Sequence, residues 1–329
     1  MKAGWYKTYG AARDVIEIGI MEVPDVGPND VLVRVYASGV NPSDVKKRAG
    51  YGDPFTEDRI IPHSDGAGVI EKTGSNVDQN RKGKRVWLYN GQYERPLGTA
   101  ADYIVLPATQ AVPLPDGLSY TDGACLGIPA MTAHRCLFAD GTIGGKIILI
   151  TGGAGGVGHY AVQFAKWAGA EVITTVSSSE KEIHAQNGGA DHVINYRTED
   201  VVSRVNEITN GTGVDRIIEV DFGGNLQVTQ AIAKNNSTVV CYASAGDSTP
   251  TLPFYNLMYK NIKLRTVLVY NMPDEAKQAA CRDINQAVLE GSLRHAVAGR
   301  FSLDQLVEAH EAVESGIYIG NIIVDINQD

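Results

Sequence analysis

Residues 150–169, ITGGAGGVGHYAVQFAKWAG, hold five glycines within seven positions, and this stretch restricts the possible folds more than any other. An apolar run of strand length, KIILI (146–150), comes directly before the glycines. After them, small and apolar residues recur at roughly helical spacing. They are Val157, Ala161, Phe164, Ala165 and Ala168. The pattern predicts a buried strand, a tight glycine turn and a helix.

A glycine turn of this kind can hold a phosphate. Without Cβ atoms the backbone can approach a pyrophosphate closely, and the free N–H groups and dipole at the start of the next helix favour negative charge. The glycines at 153, 155, 156 and 158 depart from a strict GxGxxG spacing, and a strand-to-helix crossover without a ligand is the alternative. The further strand and helix alternation around the turn favours a dinucleotide.

The next predicted strand ends in TTVSSSEK (174–181). In dinucleotide folds an acidic residue at this strand end binds the ribose hydroxyls of NAD. Here Ser177 to Ser179 offer hydroxyl groups, and Lys181 can pair with a 2′-phosphate. We therefore predict NADPH rather than NADH. The serines can also cap the following helix, and both interpretations can hold together.

The pattern changes along the 329 residues, a length that suits two domains. Residues 1 to about 120 consist of short alternating runs cut by turn residues, which predicts a β-rich, barrel-like domain. From Gly145, apolar runs of strand length alternate with helix-length segments, which predicts parallel strands joined by crossover helices. Two helical segments and a last strand, GNIIVDI, follow residues 261–271.

The net charge and the positions of the cysteines indicate which partners are not expected for this protein. The net charge of −9 argues against a nucleic acid, because phosphate binding depends on clustered Lys and Arg. The four cysteines lie far apart, which suggests neither a disulfide framework nor a structural zinc site. No apolar run approaches the length of a membrane span. We expect a cytoplasmic protein with no membrane partner.

Eight segments spread along the chain resemble the quinone oxidoreductase, or zeta-crystallin, branch of the medium-chain dehydrogenase/reductase superfamily. They are SGVNPSD (38–44), DGAGVIEKTG (65–74), GTAADY (98–103), LGIPAMTAHRCL (126–137), GGAGGVG (152–158), NGGADHVINYR (187–197), GVDRIIEV (213–220) and LVEAHEAVESG (306–316). The resemblance implies an α/β fold with a GroES-like β-barrel catalytic domain, a doubly wound Rossmann domain with a six-stranded parallel sheet, and NADPH in the cleft between them. It also implies a homodimer or homotetramer.

The resemblance assigns three parts to the chain. We expect residues 1–120 to form the GroES-like domain and residues 121–265 the NADPH-binding domain. Residues 266–329 are expected to return and complete the catalytic domain and the cleft.

The same superfamily contains zinc alcohol dehydrogenases, so the metal positions matter. Zinc members present a cysteine where this chain has Asn41, and Gly-His-Glu where it has His63, Ser64 and Asp65. The segment LGIPAM, near the place of the third ligand, contains no cysteine. Catalytic zinc takes three protein ligands, and Asn41 and Ser64 are poor ones. We predict no metal, with His63 a hydrogen-bonded residue in a turn.

Without a Lewis acid, the substrate must accept a hydride readily. Quinones do so because the product is aromatic, and activated enones and enals do so at the β-carbon. We expect the catalytic residues to be Asn41, Tyr51 and Thr132, with Tyr51 a loop ring that could stack on the acceptor. No side chain is singled out as the proton donor.

The resemblance also implies a set of cofactor contacts. Asn41 and Thr132 lie near the nicotinamide, Lys46 at the cleft, Ala154, Gly155, Gly156 and Val157 on the pyrophosphate, Ser177 and Lys181 on the 2′-phosphate, and Tyr196 on the adenosine side. The remaining contacts are Asn225, Ala243, Ser244, Val267, Leu268, Val269 and Asn321. Relatives often have lysine at the position of Asn321. GVNP can also be a simple turn, and Tyr196 can be packing for the third strand.

Three functions follow as hypotheses. The first is an NADPH-dependent quinone oxidoreductase that works without zinc. An enone or 2-alkenal reductase would share every motif. A non-catalytic NADPH-binding protein, like the crystallins among the relatives, is the hypothesis from another class.

Overall fold

The computed structural model describes residues 1–52 and 56–327. The strands are β1 (Lys2–Trp5), β2 (Glu17–Ile20), β3 (Asp30–Val40), β4 (Asp65–Thr73), β5 (Arg85–Leu88), β6 (Tyr103–Pro107), β7 (Ala111–Pro113), β8 (Ile147–Ile150), β9 (Glu171–Val176), β10 (His192–Asn195), β11 (Val214–Glu219), β12 (Ala233–Cys241), β13 (Lys263–Thr266), β14 (Val297–Ser302) and β15 (Asn321–Asp325). The helices are α1 (Ala12–Val15), α2 (Pro42–Arg48), α3 (Tyr120–Gly123), α4 (Met131–Phe138), α5 (Gly156–Trp167), α6 (Ser179–Asn187), α7 (Val201–Ile208), α8 (Phe222–Ile232), α9 (Phe254–Tyr259), α10 (Asp274–Leu289) and α11 (Leu306–Ser315).

The chain divides into two compact units. The barrel unit comprises Met1–Ile128 and His295–Asp329, and the nucleotide unit comprises Pro129–Arg294. Each has its own core of buried apolar side chains.

The barrel unit is built on a seven-stranded sheet in the order β14-β15-β3-β4-β5-β7, with β6 also paired to β3. All pairs are antiparallel except β14 with β15. Alternate residues of β3, from Val31 to Val35, point into a core shared with Ile104 and Leu106, as the alternating sequence pattern predicts. A second cluster packs Leu306 of α11 against Trp5 and its neighbours.

The nucleotide unit contains six parallel strands in the order β10-β9-β8-β11-β12-β13. In chain order this is 3-2-1-4-5-6, the arrangement of a doubly wound dinucleotide-binding sheet. The strand order reverses between β8 and β11, and in such sheets ligands bind beyond the carboxyl ends of the strands at this point. The predicted fold class, including the six-stranded parallel sheet, is confirmed.

The limits of the two units differ from the predicted limits at 120 and 265. Helix α10 belongs to the nucleotide unit, where Asp283 accepts a hydrogen bond from His134 Nε2 of α4 at 2.7 Å. At the other boundary, residues 121–128 belong to the barrel unit, and Ile128 N donates to the Asp65 carboxylate at 2.9 Å. An amphipathic helix has the same pattern whichever core it covers, so the sequence could not assign α10 to either unit.

Within residues 1–52 and 56–327, none of the helices combines the length and the hydropathy that a membrane crossing requires.

Candidate active site

Three glycines of the turn after β8 are required by the turn itself. Gly152 has a φ of +70°, a conformation that side-chain-bearing residues rarely adopt. A Cβ on Gly153 would lie 2.0 Å from Thr174 Oγ1 of β9. A Cβ on Gly158 would lie 2.1 Å from the carbonyl oxygen of Gly152. Close packing of strand, turn and helix therefore explains these positions.

Gly155 is different, because the fold leaves room for a side chain there. It is exposed at the N-cap of α5, and a Cβ would meet nothing closer than Gly152 O at 3.4 Å. No side chain caps α5. The first N–H groups of this twelve-residue helix therefore face outward over a surface kept bare, which is the geometry that binds phosphate. The other predicted pyrophosphate contacts are adjacent: Ala154 lies in the turn, and Gly156 and Val157 are the first two residues of α5.

The predicted 2′-phosphate residues meet at the end of β9. Lys181 Nζ lies 3.2 Å from Ser177 Oγ. Ser178 caps α6 by accepting a hydrogen bond from Lys181 N at 3.3 Å. The capping interpretation is confirmed for Ser178, and the 2′-phosphate role of Ser177 and Lys181 stays a prediction that is compatible with it. In the described chain no carboxylate lies within ion-pair distance of Lys181, so its charge is available to an anion.

Tyr196 follows β10, and its backbone N donates to Val176 O at 3.1 Å. Tyr196 is 48% exposed, so part of the residue is accessible to a ligand, and its role on the adenosine side stays a prediction. The Arg197 guanidinium lies 5.5 Å from the ring centre. Arg197 was not predicted, although it comes directly after the predicted adenosine contact in HVINYR.

Asn225 is held by a buried carboxylate at the end of β11. Its Nδ2 donates to Glu219 Oε2 at 3.0 Å, and Thr151 Oγ1 and Thr229 Oγ1 donate to the same carboxylate at 3.0 and 2.8 Å. Burial raises the pKa of Glu219 above its ordinary value, against the lowering effect of these hydrogen bonds. Glu219 was not predicted, although an acidic residue closing the apolar run VDRIIE was a visible signal.

The other predicted contacts of the nucleotide unit lie beyond the carboxyl ends of β12 and β13. Ala243 O accepts from Phe222 N at 3.0 Å, and Ser244 Oγ accepts from Gly223 N at 2.9 Å. Val267 and Val269 are buried while Leu268 is 55% exposed. Thr132 is buried in the first turn of α4, which precedes the strands of the nucleotide unit in the sequence.

Asn41 begins α2 in the barrel unit and is almost fully buried. It forms a capping box with Asp44: the Asn41 side chain accepts from Asp44 N, and Asn41 N donates to Asp44 Oδ2 at 2.8 Å. Asn41 Nδ2 also donates to Asp65 Oδ2 at 2.8 Å. The suggested role of Asn41 in satisfying the backbone of the turn is therefore present, together with a link to a second carboxylate.

Asp65 is fully buried and is surrounded by donors. Both of its oxygens lie 2.9 Å from Ile128 N. Gly127 permits this approach, because a Cβ there would lie 2.0 Å from Asp65 Oδ1. Burial and the nearby charge of Asp44 raise the pKa of Asp65 well above its ordinary value, and burial raises the pKa of Asp44 to about 7. Asp65 was not predicted as a site residue, because its sequence position indicated only the replacement of a glutamate in the zinc motif.

His63 lies in a chain of hydrogen bonds inside the barrel unit. Its Nδ1 is 2.8 Å from Ser38 Oγ, which is 2.7 Å from Thr99 Oγ1, and Thr99 donates to Asp65 O at 2.6 Å. On the other side, His63 Nε2 lies 3.0 Å from His310 Nε2. The prediction that His63 is hydrogen-bonded is confirmed, and its backbone φ is +77°.

The directions of the hydroxyl hydrogen bonds in this network determine the tautomers of both histidines. Thr99 uses its hydrogen on Asp65 O, so it must accept from Ser38, and Ser38 must accept from His63 Nδ1. His63 therefore carries its proton on Nδ1, and His310 donates from Nε2. Burial lowers the pKa of His63 to about 3 and that of His310 well below its ordinary value, so both rings are neutral. The chain ends on a backbone carbonyl and cannot hand on a proton.

The other predicted residues of the barrel unit lie around Asn41. Lys46 is exposed on α2, and its carbonyl accepts from Tyr51 N at 3.0 Å. The Tyr51 ring is 74% exposed. Asn321 precedes Ile322, which pairs with Val40, and Asn321 Nδ2 donates to Ala296 O at 3.1 Å. This register places Asn321 beside the end of β3 from which Asn41 follows.

These donors do not form a zinc site. Asn41 offers an amide, Ser64 is buried with its carbonyl bound to Gly91 N at 2.8 Å, and both ring nitrogens of His63 are used by Ser38 and His310. In the described chain no three His, Cys, Asp or Glu side chains are grouped so that they could hold a metal ion. The residues present do not fit the metal of the zinc dehydrogenases.

Known proteins resemble both units. The family described as "Alcohol dehydrogenase GroES-like domain" matches residues 27–116, and "Zinc-binding dehydrogenase" matches residues 156–285. A zinc-type alcohol dehydrogenase-like protein of Schizosaccharomyces pombe is 32% identical over 93% of this chain and 94% of its own length. Human quinone oxidoreductase is 28% identical over 89% of this chain and 88% of its own length.

A solved structure supports the same grouping. The quinone oxidoreductase of Escherichia coli, complexed with NADPH, has a TM-score of 0.88 at 25% identity and covers 99% of this chain and 100% of its own. A GroES-like barrel with a dinucleotide-binding unit defines a two-domain nucleotide-dependent dehydrogenase or reductase. The chain belongs to the zinc-free quinone oxidoreductase branch of the medium-chain dehydrogenase/reductase superfamily, as its motifs predict.

Proposed function

We propose that this protein catalyses the NADPH-dependent reduction of quinones without a metal. The observation that carries the proposal is the pairing of Lys181 with Ser177 at the end of β9, where an NAD-dependent enzyme has an acidic residue. The human relative named quinone oxidoreductase, and the E. coli structure complexed with NADPH, support it.

The residues at the carboxyl edge of the nucleotide unit fit the cofactor. The bare N-terminus of α5 would hold the pyrophosphate, Lys181 and Ser177 the 2′-phosphate, and Tyr196 the adenosine side. Asn225, Ala243, Ser244, Val267, Leu268 and Val269 would line the same edge, and Thr132, Asn41, Lys46 and Asn321 would lie toward the nicotinamide. When bound, NADPH supplies a hydride.

A quinone that accepts a hydride carries one new C–H or O–H bond and a negative charge on oxygen. One proton from water then completes the hydroquinone, so the acceptor gains two electrons and two protons in all. The protein must orient the acceptor and stabilise that oxygen with a hydrogen bond. We assign the orientation to the exposed ring of Tyr51 and the hydrogen bond to Asn41.

Steady-state NADPH oxidation tests this function. We expect turnover with 9,10-phenanthrenequinone, no stimulation by added zinc, and no metal in the purified protein. Turnover only with 2-alkenals or enones would replace the quinone by a C=C acceptor. Tight NADPH binding without turnover of any quinone, enone or aldehyde would indicate the non-catalytic, crystallin-like role.

We also propose that the protein forms a homodimer or homotetramer. In the described residues β13 is paired only with β12, so one side of this strand is open. Several large apolar side chains near this edge are exposed. They are Leu264 of β13, Leu268 just after it, and Phe254, Tyr255 and Tyr259 of α9. An apolar surface beside an open strand edge fits a second copy of the chain. Light scattering during gel filtration should give at least twice the monomer mass of 35.3 kDa.

A cytoplasmic location without nucleic-acid or membrane partners completes the proposal. The four cysteines are free, which fits a reducing compartment. The net charge of −9 opposes phosphate backbones. Fractionation of the source cells followed by immunoblotting tests the location.

A further inference from the structure

Arg197 is a cation without a counter-charge just after β10. It is exposed, and within the part of the chain that the structure describes no carboxylate lies within ion-pair distance of it. The two acidic residues that follow it are used elsewhere. Glu199 pairs with Arg204 at 3.0 Å. Asp200 caps α7, where it accepts from Ser203 N at 2.8 Å. The charge of Arg197 is therefore available to an anion from outside the chain.

The sheet register places Arg197 beside the residues predicted to bind the 2′-phosphate. β10 runs parallel to β9, and Tyr196 N still donates to Val176 O at 3.1 Å beyond the last paired residues. One residue further along β9 is Ser177, so Tyr196 and Ser177 are neighbours across the two strands, about 4.8 Å apart. Arg197 follows directly. It lies within a side-chain length of any phosphate that Ser177 and Lys181 would bind.

The ring of Tyr196 supports the arginine side chain. The guanidinium carbon lies 5.5 Å from the ring centre, which is within the range of a cation–π contact. Arg197 N donates to Asn195 Oδ1 at 3.1 Å, and this local hydrogen bond holds the backbone in a turn. A contact with an aromatic face uses none of the five guanidinium N–H groups. They remain available to the oxygens of an anion.

The charge of the ligand calls for a second cation. A phosphate monoester carries about −1.5 to −2 at pH 7 and has three acceptor oxygens. Lys181 provides one positive charge, and Ser177 provides a neutral hydroxyl. Arg197 would provide the second positive charge, and its planar N–H groups suit two phosphate oxygens at once.

We propose that Arg197 is a specificity-determining residue that binds the 2′-phosphate of NADPH as a second cation, supported by the ring of Tyr196. This inference rests on the proposed use of NADPH. It gives the Tyr196 ring a task in holding Arg197, in addition to its predicted place on the adenosine side.

Two nucleotides that differ only in the 2′-phosphate measure this contact without turnover. Adenosine 2′,5′-bisphosphate and AMP are titrated into the protein by calorimetry, and the ratio of their dissociation constants reports the 2′-phosphate alone. Arg197→Gln removes the charge and keeps a polar side chain. We expect it to reduce the ratio about tenfold and to leave AMP binding unchanged, because one charge-assisted contact is lost. Arg197→Lys keeps the charge and should reduce the ratio by less than about threefold.

A second variant tests the support by the ring. Tyr196→Leu should reduce the ratio about threefold in the wild type, and no further when Arg197→Gln is also present. Arg282→Gln, at an exposed position of α10 in the same unit, is the matched control and should change neither dissociation constant.

Two results would overturn the inference: an unchanged ratio in Arg197→Gln, or equal weakening of both nucleotides. Equal effects of Tyr196→Leu in the two backgrounds would overturn the supporting role of the ring. If the wild type binds both nucleotides equally, the NADPH preference is refuted together with this inference. A tenfold lower ratio in Arg197→Gln, in a protein that turns over no quinone, would refute the proposed quinone reduction and leave this inference standing.

Discussion

Nε2 of His63 and Nε2 of His310 lie 3.0 Å apart, and both rings are buried within the barrel unit. This contact requires one neutral ring to donate and the other to accept. Protonation of His63 at Nε2 in the folded state would break the contact, and burial lowers the pKa of His63 to about 3.

The histidine pair makes the barrel unit sensitive to acid. An unfolded histidine takes up a proton below about pH 6.5 while the folded pair does not, so the free energy of unfolding should fall as the pH drops from 6.5 toward 3. The expected slope approaches about 1.4 kcal/mol per pH unit for each histidine. Urea unfolding at pH 7, 6 and 5 measures this slope.

Two variants test whether the slope comes from the histidine pair. His310→Gln, which keeps an N–H donor, should show a shallower slope, whereas His192→Gln at the surface should match the wild type. Parallel slopes for His310→Gln and wild type would contradict the assignment.

Lys181 should determine the preference for NADPH. Replacing it by alanine removes the cation beside Ser177, so we expect KM for NADPH to rise roughly 10- to 100-fold while KM for NADH changes little. Lys166→Ala, in the last turn of α5, is the control and should leave both constants unchanged. Equal increases for the two nucleotides would show that Lys181 does not contact the 2′-phosphate.

Two glycines of the turn should respond in opposite ways to the same substitution. Gly153→Ala places a methyl group 2.0 Å from Thr174 Oγ1, so we expect a loss of about 1–3 kcal/mol of stability. Gly155→Ala has room and a φ of −78°, so the protein should keep its thermal midpoint and lose NADPH affinity. Thermal unfolding and calorimetric titration distinguish the two effects. Unchanged NADPH binding in Gly155→Ala would remove the argument for the pyrophosphate site.

Asp140 should be important for the stability of the nucleotide unit. Its carboxylate, 5% exposed, lies 3.2 Å from Arg216 and 2.7 Å from Arg265, and these cations hold its pKa well below the ordinary value. Asp140→Asn leaves the buried Arg216 without its counter-charge, so we expect a loss of about 3–5 kcal/mol. Asp304→Asn, which removes an exposed partner of Lys2, should cost less than about 1 kcal/mol. Similar losses in urea unfolding would show that burial of Arg216 does not matter.

Several parts of the site were predictable because the residues that form them are close together in the sequence. The strand, the glycine turn, α5 and the end of β9 occupy residues 147–181, and each depends on neighbours a few residues away. The pairing of Lys181 with Ser177 needs only one turn of α6. Local chemistry of this kind can be read from residue types and spacing.

The network behind Asn41 was not predictable in the same way. Asp65 lies 24 residues from Asn41 and 63 from Ile128, while His310 lies 247 residues from His63. No periodicity or spacing connects such partners, since the sheet register and the packing of α11 bring them together. The hydrogen-bond donors around the buried carboxylate of Asp65 can be identified only from the three-dimensional structure.

The uniform direction of the hydrogens from His310 to the Asp65 carbonyl has a practical consequence. The two imidazole N–H protons are shielded from water and exchange with deuterium only when the barrel unit opens. The exchange rate of these two protons, followed by NMR at the imidazole nitrogens, therefore measures how often the barrel unit opens without any attached probe.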